Sequence, residues 1–243
     1  MLRAGHVKGA PIVLPNAWDA ASARAIVAAG FAAVATTSGG VAAALGYDDH
    51  EGAPAEEMLD AAARIIRAVE VPVTVDFEAG YGLSPEDLVA ALKEIGAAGA
   101  NLEDTDHQTG SLRAPAEQAE RLAAVRRAAV SLGYPIVINA RVDVFILERG
   151  RPQLELVDAA IERAIAYLAA GADCAYPILL NELEARRAVV SGTPGPTNVT
   201  TWPGGAPVPE LAADGVARIS YGTSLFRSTT QHLAEVLKGM QTG

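Results

Sequence analysis

The chain has 243 residues, with 19 Lys and Arg against 29 Asp and Glu, a formal charge of −10; half of its residues are hydrophobic and 5% aromatic. So apolar a composition excludes a disordered chain, and the acidic balance argues against a nucleic-acid backbone or an anionic membrane as partner, because both need a basic face. One cysteine, Cys174, excludes a disulfide scaffold and a cysteine metal cluster. No window reaches the ~18 unbroken apolar residues of a membrane span. The first twenty residues lack a signal-peptide core, so a cytoplasmic protein is expected.

Short β-branched runs recur, each followed by a helical pattern. The first run, 12–16, leads to a helix over 20–29 that stops at Gly30, a residue free to take positive φ. The second, 33–37, precedes a small-residue stretch and then a helix over 55–69 with Met58, Leu59, Ile65 and Ile66 at helical spacing. The third, 71–78, precedes Ser84-Pro85-Glu86-Asp87, which reads as an N-cap, a first-turn proline and helix-starting acids. Runs at 100–104 and 135–143 flank a helix over 116–132. A run at 174–178 follows a helix over 154–170. Runs at 198–202 and 217–221 precede a last helix over 225–238.

Eight strand–helix units in 243 residues give about 30 residues each, the size of one βα unit. Most runs lack in–out alternation, as strands buried on both faces do. A doubly wound sheet would want a Gly-rich turn after its first strand, and Ala17-Trp18-Asp19 is not one. The expected fold is an α/β (β/α)8 TIM-type barrel, a single domain spanning residues 1–243.

Barrel active sites lie at the C-terminal strand ends. Those ends carry Thr37-Ser38-Gly39-Gly40, Asp76 with Glu78, Glu103, and Arg141. Asp76 and Glu78, two apart, would share one strand face. Three converging carboxylates repel one another unless a cation sits among them. Their oxygen-only chemistry suits Mg²⁺, with Mn²⁺ the alternative, better than Zn²⁺, whose usual Cys and His ligands are scarce. Arg141 offers a planar fork for a substrate carboxylate. The turn at Thr37, Ser38 and Gly39 offers backbone N–H groups to an anion. Each acid taken singly reads more simply as a helix cap or surface pair, and Asp104, Asp106 and Asp143 stay balanced between the two readings. His6 and His232 read as solvated, His107 as an exposed loop residue or a proton carrier, and Cys174 as a small core residue.

TTSGGVAAALGYDD (36–49), VDFEAGYG (75–82), NLEDTD (101–106) and NARVD (139–143), in that order, resemble the isocitrate lyase/phosphoenolpyruvate mutase superfamily. The resemblance implies a barrel with Mg²⁺ at its strand ends. It also implies a small 2-oxo or 2-hydroxy carboxylic acid substrate, and making or breaking of C–C or P–C bonds through an enolate. By position, Asp76 would be the direct metal ligand, and Asp49, Glu78 and Glu103 would hold the metal largely through its waters. Arg141, Thr37, Ser38, Gly39 and Asp76 would bind substrate. A homodimer or homotetramer exchanging its C-terminal helix is also implied, although 225–238 is short for that role.

Isocitrate and methylisocitrate lyases carry a cysteine on a mobile loop soon after the strand-four acids. Here that stretch is Thr109-Gly110-Ser111-Leu112-Arg113. Ser111 falls at the cysteine's place, and a hydroxyl is a weaker proton donor than a thiol. Ser111 and His107 are therefore the catalytic candidates beside Arg141. The expected function is Mg²⁺-dependent cleavage or condensation of a C–C bond in a 2-oxo acid. The alternatives are oxaloacetate decarboxylation, phosphonopyruvate hydrolysis or mutase chemistry, and 2-oxo acid binding without turnover.

Overall fold

Strands joined through helices must pair in parallel, and the computed structural model, which describes residues 2–241, shows eight that do. Strand β1 comes in two segments, Ile12–Leu14 and Asn16–Ala17, on either side of Pro15. The others are β2 (Val34–Thr36), β3 (Val73–Asp76), β4 (Gly99–Glu103), β5 (Val137–Val142), β6 (Cys174–Pro177), β7 (Asn198–Thr200) and β8 (Arg218–Ser220). The first segment of β1 pairs with β8 and the second with β2, so Pro15, which has no N–H to give, marks the hand-over between neighbours. A parallel bridge from Ala175 to Thr197 joins β6 to β7 and closes the ring. The architecture is a (β/α)8 barrel.

The helices follow from capping and periodicity. Helix α1 (Ala20–Ala28) is opened by a reciprocal Asp19–Ser22 capping box. Helix α2 (Ser38–Leu45) corrects the sequence reading, which left this stretch a turn: Thr37 caps it, its side chain accepting from Gly40 N at 3.4 Å. Two glycines and three alanines hide its pattern. Next come α3 (Ala55–Arg67), α4 (Pro85–Ile95) and α5 (Pro115–Ser131). Ser84 caps α4 as expected, accepting from Asp87 N at 3.1 Å. A four-residue α6 (Val144–Leu147) and six-residue α9 (Val208–Ala213), both too short to show a period, flank α7 (Val157–Ala169) and α8 (Leu183–Gly192). Helix α10 (Ser224–Gln241) ends the described chain, with Leu233, Val236, Leu237 and Met240 exposed. Among the described residues no helix is long and apolar enough to cross a membrane.

The main core lies between the outer strand faces and the helices, where Leu88, Leu92, Leu122, Val125, Ile138 and Ala140 pack together. Each large side chain fully buried there stabilises the fold by about 1.5–3 kcal/mol. Cys174 is buried in the barrel, and desolvation pushes its thiol up to about 12, consistent with a packing residue.

Inside the barrel a polar layer replaces the usual aliphatic one. Asn101, Asn139, Asn198 and Arg218 are all buried, and Arg218 Nη2 donates to Asn101 Oδ1 at 3.2 Å. His6 is half-buried rather than solvated, with Nδ1 3.0 Å from Leu2 O. Burial first, and the Arg218 charge second, lower its pKa to about 4. The native state therefore holds His6 neutral, whereas the unfolded chain protonates it below its ordinary 6.5. Stability from this difference is full above pH 6.5, is lost progressively as pH falls from 6.5, and is gone below 4. Between pH 7 and 4, wild type should lose on the order of 3 kcal/mol more than His6→Leu. Urea unfolding of both across that range checks it; parallel pH profiles would contradict it.

Candidate active site

Asp76 closes β3 and has its backbone N–H tied to Thr36 Oγ1 at 2.8 Å. Its Oδ2 accepts from Ser38 N at 3.1 Å and Ser38 Oγ at 2.9 Å, and its Oδ1 from Asn101 Nδ2 at 3.1 Å. The N-terminus of α2, expected to meet a substrate anion, thus meets the Asp76 carboxylate. A helix N-terminus, with its orphan N–H groups, is a place where an acceptor oxygen finds donors.

Glu78 does not share a strand face with Asp76. The strand ends at Asp76, and Glu78 stands in the left-handed region at φ 46°, so the two-residue alternation no longer holds. Gly80 and Gly82, also at positive φ, complete the turn and bring Tyr81 back over Glu78. Tyr81 Oη donates to Glu78 Oε1, and Glu51 N donates to Oε2 at 2.7 Å. Burial pushes the Glu78 carboxyl up to about 8 despite the Tyr81 bond, with Glu103, Asp76 and Asp49 adding in the same direction. Burial also raises Tyr81, and the Glu78 charge adds to it.

Glu103, at the end of β4 and 1% exposed, lies between two nitrogenous groups. His107 Nε2 is 2.7 Å from Oε1, and Arg141 Nη1 is 2.6 Å from Oε2. Burial raises its pKa well above the ordinary range, with Arg141 opposing. Arg141 also donates from Nε to Asp143 Oδ1 at 2.6 Å and from Nη2 to Oδ2 at 3.0 Å. Burial works against its charge, but Asp143 and Glu103 more than offset this and hold the guanidinium protonated. The expected substrate fork is therefore already braced by two acids, though it still faces the cavity.

Asp49 sits in the loop after α2. Its Oδ1 is buried without a partner, and a Cβ at Gly39 would lie 2.6 Å from its Oδ2. Only a glycine lets that carboxylate approach the start of α2 so closely. Single ligand atoms of Asp49, His50 and Glu78 lie within 4.8 Å of one another, as do those of Glu78, Glu103 and His107. Buried acids with an orphaned oxygen, spaced to meet on one ion or its waters, fit a divalent cation.

A cavity of about 580 Å³ opens at the C-terminal mouth of the barrel, lined by Thr37, Ser38, Asp49, His50, Asp76 and Arg141 among others. Sequence reasoning did not single out Asn16, Asn101, Tyr176, Thr200 or Arg227, which line it too. Strand register gave a signal for the two asparagines. Asn16 donates to Thr36 O and accepts from Tyr221 N, both at 2.7 Å, and so ties β1 to its neighbours on both sides.

Ser111 is not brought to this site. Thr105–Asp106 and Ser111–Leu112 form a two-stranded antiparallel hairpin, and Ser111 is exposed with its Oγ 2.8 Å from Thr109 Oγ1. His107, at the start of the same hairpin's turn, points back to Glu103. Asp104 and Asp143 are braces. Asp104 accepts from Asp143 N at 2.9 Å, Arg163 Nη1 at 2.9 Å and Tyr167 Oη at 2.7 Å, and Asp143 also accepts from Thr105 Oγ1 at 2.6 Å. Asp106 is half-buried, accepting from Gln108 N at 2.9 Å in the hairpin turn.

The family model of phosphoenolpyruvate phosphomutase matches residues 2–241. A Burkholderia cenocepacia J2315 protein classed with the phosphonomutases is 42% identical in sequence, superposing with a TM-score of 0.92 over 98% of this chain and 97% of that one. The 2-methylisocitrate lyase of Salmonella typhimurium is 31% identical over 96% of this chain and 81% of its own length. An oxaloacetate acetylhydrolase solved with its product oxalate is 25% identical, with a TM-score of 0.85 over 99% of this chain and 85% of its own. The chain belongs to the phosphoenolpyruvate phosphomutase family, within the isocitrate lyase/phosphoenolpyruvate mutase superfamily.

Proposed function

We propose that this protein is an Mg²⁺-dependent enzyme acting on a small 2-oxo or 2-hydroxy carboxylic acid, and that it cleaves or forms a carbon–carbon bond. The observation that carries the reading is that Glu78 lies within ligand distance of Asp49 on one side and of Glu103 on the other, while Asp49, Asp76 and Arg141 line one cavity at the barrel mouth. The names of the lyase and the acetylhydrolase support a carboxylic acid substrate.

Asp76 would hold the metal directly, with Asp49, Glu78 and Glu103 gripping its waters. The bound cation would supply Lewis-acid stabilisation of the negative charge that develops on the 2-oxo oxygen. Ser38 and Asn101 keep the Asp76 carboxylate in one orientation. Arg141, held cationic, would face the substrate carboxylate, with Thr37 and Ser38 lining the same cavity. His107 is the proton carrier in this reading, because its ring nitrogen already touches Glu103 and Ser111 points to solvent.

The test is a product assay. Oxaloacetate, 2-methylisocitrate, 2-oxoglutarate, pyruvate and phosphonopyruvate are incubated with wild type and Mg²⁺, and products are followed by NMR. A carbon–carbon cleavage product that disappears with excess chelator is expected. Loss of CO₂ alone, or phosphate release, would replace the lyase reading with decarboxylation or P–C hydrolysis. Tight binding of a 2-oxo acid without product from any substrate would make the protein a binding module.

A further inference from the structure

The cavity at the barrel mouth has two unlike sides. Asp49, Asp76 and Arg141 reach it from the segment after β2 and from the ends of β3 and β5. Across the barrel, the segments that follow β5, β6 and β7 bring Ile146, Ile178, Leu179, Trp202 and Pro203. The polar atoms on that side already have protein partners: Tyr176 Oη bonds Thr200 Oγ1, and Thr201 Oγ1 donates to Ala206 O at 2.9 Å. The wall is also held against strain. Leu179 stands in the left-handed region at φ 61°, a conformation that a side-chain-bearing residue keeps only where its surroundings over-determine it, and that gathers at binding sites. Gln153 supplies the constraint, donating from Nε2 to Leu179 O at 2.6 Å and accepting at Oε1 from Asn181 N at 2.8 Å and Glu182 N at 2.9 Å. Trp202 rests its indole against Gly205, where a Cβ would lie 3.0 Å from two ring carbons, and is still 44% exposed.

We propose that Ile178, Leu179 and Trp202 form a subsite for an apolar substituent, so that the protein prefers a 2-oxo acid with an alkyl chain of several carbons to one that ends in a second carboxylate. The proposal rests on the reading of the site as one that holds a 2-oxo acid through a divalent cation and Arg141, and adds to it the class of side chain. A chain extending from Arg141 across the cavity meets Ile178 and Leu179. A space of about 580 Å³ accommodates a ligand well beyond three carbons. Each methylene buried there raises affinity by about fourfold. Arg149 and Arg227 also line the cavity, and among the described residues neither has an ion-pair partner, but both are exposed. An exposed ion pair is worth about fivefold at most. That does not offset stripping a distal carboxylate of its water against Ile178 and Leu179.

The probes are pyruvate, 2-oxobutyrate, 2-oxopentanoate and 2-oxohexanoate, with 2-oxoadipate as the six-carbon acid in which a carboxylate replaces the terminal methyl. Each is titrated by calorimetry, in Mg²⁺, into wild type, Leu179→Gly and Trp202→Ala. Glycine adopts the left-handed turn without strain, so Leu179→Gly removes the side chain and spares the fold. In wild type, affinity should rise along the series, by about tenfold or more from pyruvate to 2-oxohexanoate. 2-Oxohexanoate should bind about tenfold more tightly than 2-oxoadipate. In both variants the ratio of 2-oxohexanoate to pyruvate affinity should fall by about threefold or more. Affinity that is flat along the series, tighter binding of 2-oxoadipate, or an unchanged ratio in both variants, with pyruvate still bound, would overturn the apolar subsite and leave the metal-dependent reading standing. Binding of none of these acids to wild type in Mg²⁺ would overturn both.

Discussion

Asp76→Asn should abolish metal-dependent ligand binding while leaving the barrel folded. The amide keeps the carboxylate's shape and can still accept from Ser38, so local packing survives. It lacks the charge that a hard dication needs. Changing groups that merely orient a metal ligand costs 10–100-fold in affinity, so replacing a ligand should cost roughly two orders of magnitude or more. Calorimetry gives the Mg²⁺ affinity, thermal melting without metal gives the fold, and turnover should fall with the former alone. Unchanged Mg²⁺ affinity would remove Asp76 from the metal site.

The largest effect on stability should come from Asp104→Ala. Asp104 is fully buried and holds Arg163, Tyr167 and the backbone of Asp143, so it joins β4 to β5 and to α7. Burial raises its pKa, and Asp143 adds to that, while the three donors pull the other way. Removing the carboxylate strands a largely buried guanidinium and two further donors. Breaking a buried pair from one side costs about 3–5 kcal/mol. The denaturant midpoint should fall accordingly with little change in slope. A loss under about 1 kcal/mol would mean that water repairs the gap.

The two aspartates show what a sequence can convey. Asp76 lies near the end of the run at 71–78 and Asp104 closes the run at 100–104, and both looked like site acids or caps. What separates them is the neighbour each meets: a helix N-terminus and the cavity for Asp76, and Arg163 from a helix 59 residues further along for Asp104. No local pattern encodes that. The barrel itself was legible, because eight buried strands with Gly-terminated helices repeat a signal that any one unit carries weakly. Helix α2 was not, since SGGVAAAL has neither a polar face nor good helix formers throughout.

Loops were the hardest to read. Asp49 has no strand register to place it, and only the resemblance pointed to it. Ser111 was a candidate through its position in a motif, but a two-residue antiparallel pairing turns it to solvent and leaves His107 facing the acids. Glu78 reached the site by a route that strand alternation did not foresee, through a left-handed turn that Gly80 and Gly82 make possible.

The measurement that bears most directly on the metal-dependent 2-oxo acid site is calorimetric titration of wild type with oxaloacetate, 2-oxoglutarate, pyruvate and phosphonopyruvate, first with Mg²⁺ and then with excess chelator. At least one acid should bind with Mg²⁺ and lose its binding in chelator. No binding in either condition, or binding indifferent to the chelator, would contradict the assignment of the strand-end acids to a metal.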